Sequence, residues 1–412
     1  MSSTDQPTLA DVIALLERRY PPEHAEAWDA VGTVCGDPAQ PVAKVAFAID
    51  ATRAVVDEAL SWGADLLVTH HPLFLRPVHS VAATTFKGDV VHRLIRGGCG
   101  LHAVHTNADA AREGVPQALA EAIGVVDTSP LVPLPAEPLD KHVVFVPQAD
   151  AEALVDALAD AGAGDLGHYS RCAWTTTGTG TFIPGEHADP AIGDLGAVSR
   201  VTEARVEMVA PRHRRDAVVS AMRQAHPYEE PAFDVLELAS GPGGIGHGRV
   251  GRLPAPMALR AFAERVAQVL PPTAQGVRVA GDVDGLVTRV AVVAGSGDSF
   301  LDAVRAAGVD AYVTGDLRHH PALEARERAR FEAARDGSAP DDGRPFLVDV
   351  AHTAGEWPWL ARVAALLAED CLAQHGTTVE TRVSTLSTDP WTTRIPSDPP
   401  LEATTRDHCT CR

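Results

Sequence analysis

The 412-residue sequence predicts an α/β protein built from two related βαβ-containing half-domains that pack into one unit, interrupted by an inserted α+β domain. Three observations lead there. Two stretches of buried-strand, helix, buried-strand pattern repeat at a constant offset. A segment of different grammar lies between them, bounded by prolines and glycines. With 45% hydrophobic and 22% charged residues, the chain has the composition of a globular protein that buries a core.

The first half-domain, 8–130, contains Val45-Ala-Phe-Ala-Ile49 as a strand, Ala54–Leu60 as a helix closed by Gly63, and Gly63-Ala-Asp-Leu-Leu-Val-Thr69 as a second strand. The second half-domain, 246–380, repeats this as Val290–Ala294, Ser299–Val304 and Gly308–Thr314, each 245 positions later where the register is ungapped. Each half then adds an apolar strand ending in His-Thr: Leu101–Thr106 and Leu347–Thr353. The insert, 139–240, reads as strand 141–146, helix 150–162, a Thr/Gly-rich strand pair near 171–183, strand 201–209, helix 213–225 and strand 232–238. That β-α-β-β-α-β order predicts a ferredoxin-like fold. The tail, 381–412, holds 15 Ser, Thr or Pro in 32 residues and is predicted to be disordered.

Charge and composition narrow the function. With 35 Lys and Arg against 55 Asp and Glu, the net charge of −20 excludes general nucleic-acid binding, which needs cations to displace counterions. No apolar run reaches the ~18–20 residues of a membrane span, and the polar N-terminus lacks a signal-peptide pattern. Six scattered cysteines make no disulfide framework. A cytoplasmic location is expected.

Histidines carry the chemical signal. Thr69-His70-His71-Pro72-Leu73-Phe74 ends a buried strand, at the sheet edge where open α/β proteins place ligands. His105-Thr-Asn-Ala-Asp109 and His352-Thr-Ala-Gly-Glu356 each set an acid four residues after a His, on one face if a helical turn follows. Imidazole with carboxylate is a divalent-metal ligand set, whereas either pair alone reads more often as a His–carboxylate hydrogen bond. Recurrence in both halves favours metal. Two carboxylates with at least three imidazoles suffice for two ions, with zinc, iron, manganese or nickel not distinguished. In Thr314-Gly-Asp-Leu-Arg-His-His320, Asp316 takes the place of His71, and His320 is a candidate proton carrier alongside His105.

Other motifs are weaker. Ala294-Gly-Ser-Gly-Asp298 joins strand to helix, and reads either as an anion-binding turn or as a tight turn with Asp298 as N-cap. Gly246-His-Gly-Arg-Val-Gly251 has dinucleotide-binding spacing, but Pro254 and Pro256 stand where the helix should start. His226-Pro-Tyr-Glu-Glu-Pro231 reads as a turn, and His408-Cys-Thr-Cys411 as a flexible end.

Trp28-Asp29-Ala-Val-Gly32, Thr69-His70-His71-Pro72-Leu73-Phe74, Thr314-Gly-Asp316 and the two His-Thr-x-x-acid boxes together resemble the dinuclear-metal-centre hexameric proteins known as GTP cyclohydrolase I type 2 homologues, in their long form. The resemblance spans about 8–130 and 246–372, with Ala30 and Ala351 departing from the family's Asn and Gly. It implies His70, His71, Asp109, His352 and Glu356 as ligands of two divalent ions, with His105 nearby. It further implies a homohexamer and a metal-dependent hydrolase acting on a nucleotide or other small phosphorylated compound. The competing reading is a non-enzymatic metal-binding scaffold or regulator whose insert senses a ligand.

Overall fold

The computed structural model describes residues 6–395. The elements run α1 (Leu9–Arg19), β1 (Gly32–Cys35), β2 (Lys44–Ala48), α2 (Arg53–Trp62), β3 (Leu66–Thr69), α3 (Phe86–Arg96), β4 (Gly100–Ala103), α4 (Thr106–Ala110), α5 (Val115–Ala122) and β5 (Val126–Pro135). The insert follows with β6 (Leu139–Pro147), α6 (Ala151–Asp160), β7 (Ala173–Phe182), β8 (Ser199–Pro211), α7 (Arg215–Ala225) and β9 (Phe233–Glu237). Then come β10 (Pro242–Ala258), α8 (Leu259–Val269), β11 (Arg278–Ala280), β12 (Leu286–Ser296), α9 (Leu301–Ala306), β13 (Ala311–Gly315), α10 (His319–Arg335), β14 (Phe346–Val350), α11 (His352–Glu356), α12 (Pro358–His375) and β15 (Glu380–Val383).

Two sheets share one compact unit, formed by the described residues up to Pro133 and from Gly244 onward. Their orders are β1-β4-β3-β2-β15 and β11-β14-β13-β12-β10-β5. The repeat is structural as well as textual. Val45 pairs with Leu66 and Val290 with Ala311 in the parallel ladders, so the 245-residue offset preserves the register itself.

Strand periodicity explains the layering. Val45, Phe47 and Ile49 face a large core shared by both sheets and by α1, α5, α8 and α12, while Ala46 and Ala48 face a smaller core under α2 and α3. The second sheet divides likewise, with Val290 and Val292 on the shared core and Ala291 and Val293 on the outer one. Trp359 and Tyr20, both essentially unexposed, pack edge to face at 5.7 Å in the shared core, and the indole N–H donates to the Tyr20 hydroxyl at 3.2 Å.

The insert, Leu134–Gly243, is a second compact unit. Its elements follow the predicted β-α-β-β-α-β order, in an antiparallel sheet ordered β7-β8-β6-β9. One correction applies: the Thr/Gly-rich segment near 171–183 forms a single long strand, β7, which pairs with β8 rather than folding on itself.

The tail also needs correction. Residues 380–383 form β15 beside β2, and Ser384 is buried. A Ser/Thr-rich composition did not prevent pairing, because the open edge of β2 supplied the ladder that these residues lack alone. His408, Cys409 and Cys411 lie outside the described residues. Among the described residues no helix is long and apolar enough to cross a membrane.

Candidate metal centre

Parallel strands of both sheets deliver their carboxyl ends to one place. The β3 ladder continues past Thr69, with His70 and His71 N–H groups donating to Ala48 and Ile49 carbonyls at 3.1 and 2.9 Å. Side chains on a continuing strand would alternate faces, but Pro72 follows and both rings turn inward, their centroids 5.0 Å apart. After β4, the Asp109 N–H bonds the His105 carbonyl across the helical turn of α4. After β14, α11 is one turn of helix that sets His352 and Glu356 on the same face.

Each imidazole has one nitrogen committed to an acceptor. Nδ1 of His71 donates to Asp50 at 2.8 Å, Nδ1 of His105 to Asp29 at 2.8 Å, and Nδ1 of His352 to Asp316 at 2.7 Å. Nδ1 of His70 donates to the Val104 carbonyl at 2.9 Å. Carboxylates and carbonyls only accept, so these contacts fix the proton on Nδ1 and leave Nε2 free to ligate in the neutral ring.

The Nε2 atoms and two acids converge. Glu356, 3% exposed, has Oε1 at 2.9 Å from His352 Nε2 and 3.5 Å from His70 Nε2, and Oε2 at 3.1 Å from His71 Nε2. Nε2 of His71 and His352 are 3.3 Å apart, and Asp109 Oδ1 is 3.9 Å from His70 Nε2. Two groups of potential ligand atoms each fit within 4.8 Å: His70, His71 and His105, and His71, His352 and Glu356. His70 Nε2, Asp109 Oδ1 and Glu356 Oε2 are buried without a hydrogen bond of proper geometry. Buried polar atoms without partners are costly, and a shared cation satisfies all three. The residues present therefore fit a divalent metal.

The electrostatics agree. Burial opposes charge on His71 and His352, yet Glu356 and their orienting aspartates outweigh it, raising the rings to about 10 and about 11. Burial likewise opposes ionisation of Glu356, but the surrounding imidazoles hold it well below the ordinary carboxylate range. At Asp109 burial prevails and the carboxyl is raised. Positive charge is favoured at the centre of this cluster.

The cluster opens on a cleft of about 710 Å³ walled by Trp28, His247 and Phe300 and by the backbone of Gly248 and Gly295. Gly295 is left-handed at φ +69°, and a Cβ there would sit 2.5 Å from Glu356 Oε1. His247 Nε2 lies 3.0 Å from Glu26. This stretch of β10 is fixed by buried Arg249, whose Nη1 donates to the Gly246 and Gly248 carbonyls at 2.7 Å. Among the described residues, no Lys or Arg lines the cleft.

All of the sequence-predicted ligands, and His105, meet here. His320 does not: after β13, Asp316 turns left-handed and His320 stands exposed on the first turn of α10, packed against His319. Asp298 is not an N-cap; its carboxylate accepts the Arg318 N–H at 3.2 Å and pairs with the Arg318 guanidinium. The Gly295–Gly297 turn lines the cleft, although the Gly297 N–H is used by the Gly315 carbonyl. Sequence reasoning missed the orienting roles of Asp29, Asp50 and Asp316, as well as His247 with Glu26. Lone acids scattered through loops carry no spacing signal, and His247 was marked only by its flanking glycines.

Comparison with known proteins places these features in context. The profile of the Duf34/NIF3 (NGG1p interacting factor 3) family matches residues 7–390. A Mycobacterium tuberculosis protein named GTP cyclohydrolase 1 type 2 homolog is 51% identical over 384 residues, covering 93% of this chain and 96% of that one. A Streptomyces coelicolor protein of the same name is 38% identical, covering 96% and 98%. Among solved structures, a Bacillus cereus protein related to NIF3 superposes with TM-score 0.73 at 36% identity, covering 94% of this chain and 99% of that one. A Staphylococcus aureus protein gives TM-score 0.77 at 27% identity, with the same coverage of both chains.

Proposed function

The chain belongs to the Duf34/NIF3 family, and from that premise we propose that it is a metal-dependent hydrolase holding two divalent ions and acting on a nucleotide or another small phosphorylated compound. The observation that carries the reading is Glu356: one buried carboxylate within 3.5 Å of three imidazole nitrogens, each ring already oriented through its Nδ1. All three Nε2 atoms point at this one carboxylate, and those of His71 and His352 crowd to 3.3 Å, an arrangement that a cation among them would stabilise.

His70, His71, Asp109, His352 and Glu356 would hold the ions. Divalent ions in such a set supply Lewis-acid polarisation and activation of water. The chain's own residues do the rest. Trp28 and Phe300 offer aromatic walls to a heterocycle, and the Gly295–Gly297 turn lies beside the ligands at the base of the cleft. His105, held by Asp29, is the proposed proton carrier to the substrate. With no Lys or Arg among the described residues of the cleft, a phosphate would depend on the ions and on backbone N–H groups for its counter-charge. The name borne by the bacterial relatives, GTP cyclohydrolase 1 type 2 homolog, supports a purine nucleotide among the substrates to be tried.

The insert's strand order, with β6 between β8 and β9, supports a ferredoxin-like reading, and a homohexamer is proposed from the sequence resemblance. The decisive assay is a panel of nucleotides and phosphoesters offered to the metal-loaded chain. Turnover is expected with at least one, falling to background in Asp109→Ala and Glu356→Ala. No turnover of any panel member, with chelation altering assembly alone, would replace the enzyme by the scaffold reading.

A further inference from the structure

Two of the orienting aspartates are built alike. Asp29 accepts His105 Nδ1 on Oδ1 at 2.8 Å and the Thr106 hydroxyl on Oδ2 at 2.5 Å. Asp50 accepts His71 Nδ1 on Oδ1 at 2.8 Å and the Thr388 hydroxyl on Oδ2 at 2.5 Å. In the first arrangement the threonine is the residue next to the histidine. In the second it is 338 residues away from the aspartate, in the C-terminal segment.

The fold explains how it gets there. β15 runs parallel to β2 with Val383 opposite Phe47, and the Ser384 N–H extends that ladder to the Phe47 carbonyl at 2.8 Å. Parallel neighbours leave a sheet at the same edge, so β2 delivers Asp50 and β15 delivers Ser384–Thr388 to the carboxyl edge where the histidines lie. A second anchor, the buried Ser384 hydroxyl on the Glu58 carboxylate of α2, fixes the start of the segment. Both Asp50 oxygens are then occupied, and the carboxylate cannot rotate without losing a bond.

We propose that Ser384–Thr388 is a strap belonging to the metal centre, with Thr388 a positioning residue that holds Asp50, and through it His71, in the ligating orientation. The inference rests on the reading of His71 as a metal ligand. A ligand's direct hydrogen-bond partner, here Asp50, typically contributes about 10–100-fold to metal affinity, and Thr388 acts one hydrogen bond farther out, at the lower end of that range.

Zinc affinity of the full chain, measured by competition with a chromophoric chelator, tests it. Thr388→Val keeps the shape and loses the donor, and is expected to weaken one of the two zinc sites about tenfold, with the melting temperature of the metal-free chain unchanged. Thr388→Ser should restore it. Linkage requires the reciprocal effect, so zinc should slow hydrogen exchange of the Ser384 and Leu386 amides in the unmutated chain by a similar factor. Wild-type zinc affinity in Thr388→Val, no rescue by Thr388→Ser, or strap exchange indifferent to zinc would each overturn the proposal while leaving the metal centre standing. Failure of the unmutated chain to bind zinc or any other divalent ion would instead remove the metal reading, and the strap with it.

Discussion

A histidine becomes a metal ligand through what holds its other nitrogen, and that half of the site was hidden in the sequence. His70, His71, His105 and His352 were legible because they end apolar strands, and Asp109 and Glu356 because they stand one helical turn beyond a histidine. Asp50 and Asp316 reach their rings from other loops, across 21 and 36 residues of chain. Replacing Asp316 by Asn should leave His352 in place but uncertain in tautomer, weakening divalent-metal binding by about 10–100-fold in calorimetric titration. Unchanged affinity would show that Asp316 is only a surface partner. A different histidine governs acid stability. His102, 2% exposed on β4 with Nδ1 3.1 Å from the Thr33 hydroxyl, is lowered by burial to about 4. The unfolded chain takes up a proton near 6.5 that the folded chain refuses, so stability is full above 6.5 and falls as pH drops toward 4. At 1.36 kcal/mol per pH unit the loss is on the order of 3 kcal/mol. Urea unfolding at pH 7 and pH 4.5 should show the difference between wild type and His102→Gln shrinking at the lower pH; a constant difference would contradict the assignment.

Elements were legible where period and punctuation agreed. β2, β3, β12 and β13 read as buried strands because both faces are covered, and α4 and α11 followed from the His-to-acid spacing. β15 was not legible, since a Ser/Thr-rich segment becomes a strand only when a partner edge exists. The tip of β12 was ambiguous between an anion turn and a capped turn because both use Gly and Asp. The structure gives it another constraint, the close packing of Gly295 against Glu356. Gly295→Ala must bring a methyl group to 2.5 Å from Glu356 Oε1 in a left-handed backbone, and is expected to abolish tight metal binding while costing only about 1–3 kcal/mol of stability. Retained wild-type affinity would show that the carboxylate can move aside freely. Trp359 on α12 tests the shared core: Trp359→Ala should cost about 3–5 kcal/mol by denaturant titration, since the indole is fully buried and also holds Tyr20.

At the scale of the whole molecule, the duplication was the most legible feature, because an ungapped offset of 245 survives as a matching strand register up to Val292, where β12 bulges. The insert announced itself by composition and strand order. Assembly has no such signature within one chain, and the homohexamer is a proposal from the sequence resemblance alone. Light scattering is expected to give about 260 kDa, six times 43.4 kDa, and a 43 kDa particle at micromolar concentration would contradict the hexamer.

In the proposed function both halves of the duplication converge on one dinuclear centre. Metal analysis of the purified chain, paired with His71→Ala/His352→Ala, tests this. Two divalent ions per wild-type chain are expected, with none held stoichiometrically by the double variant and its circular dichroism spectrum unchanged. Full occupancy in that variant, or a metal-free wild type after incubation with zinc, iron, manganese and nickel, would contradict it.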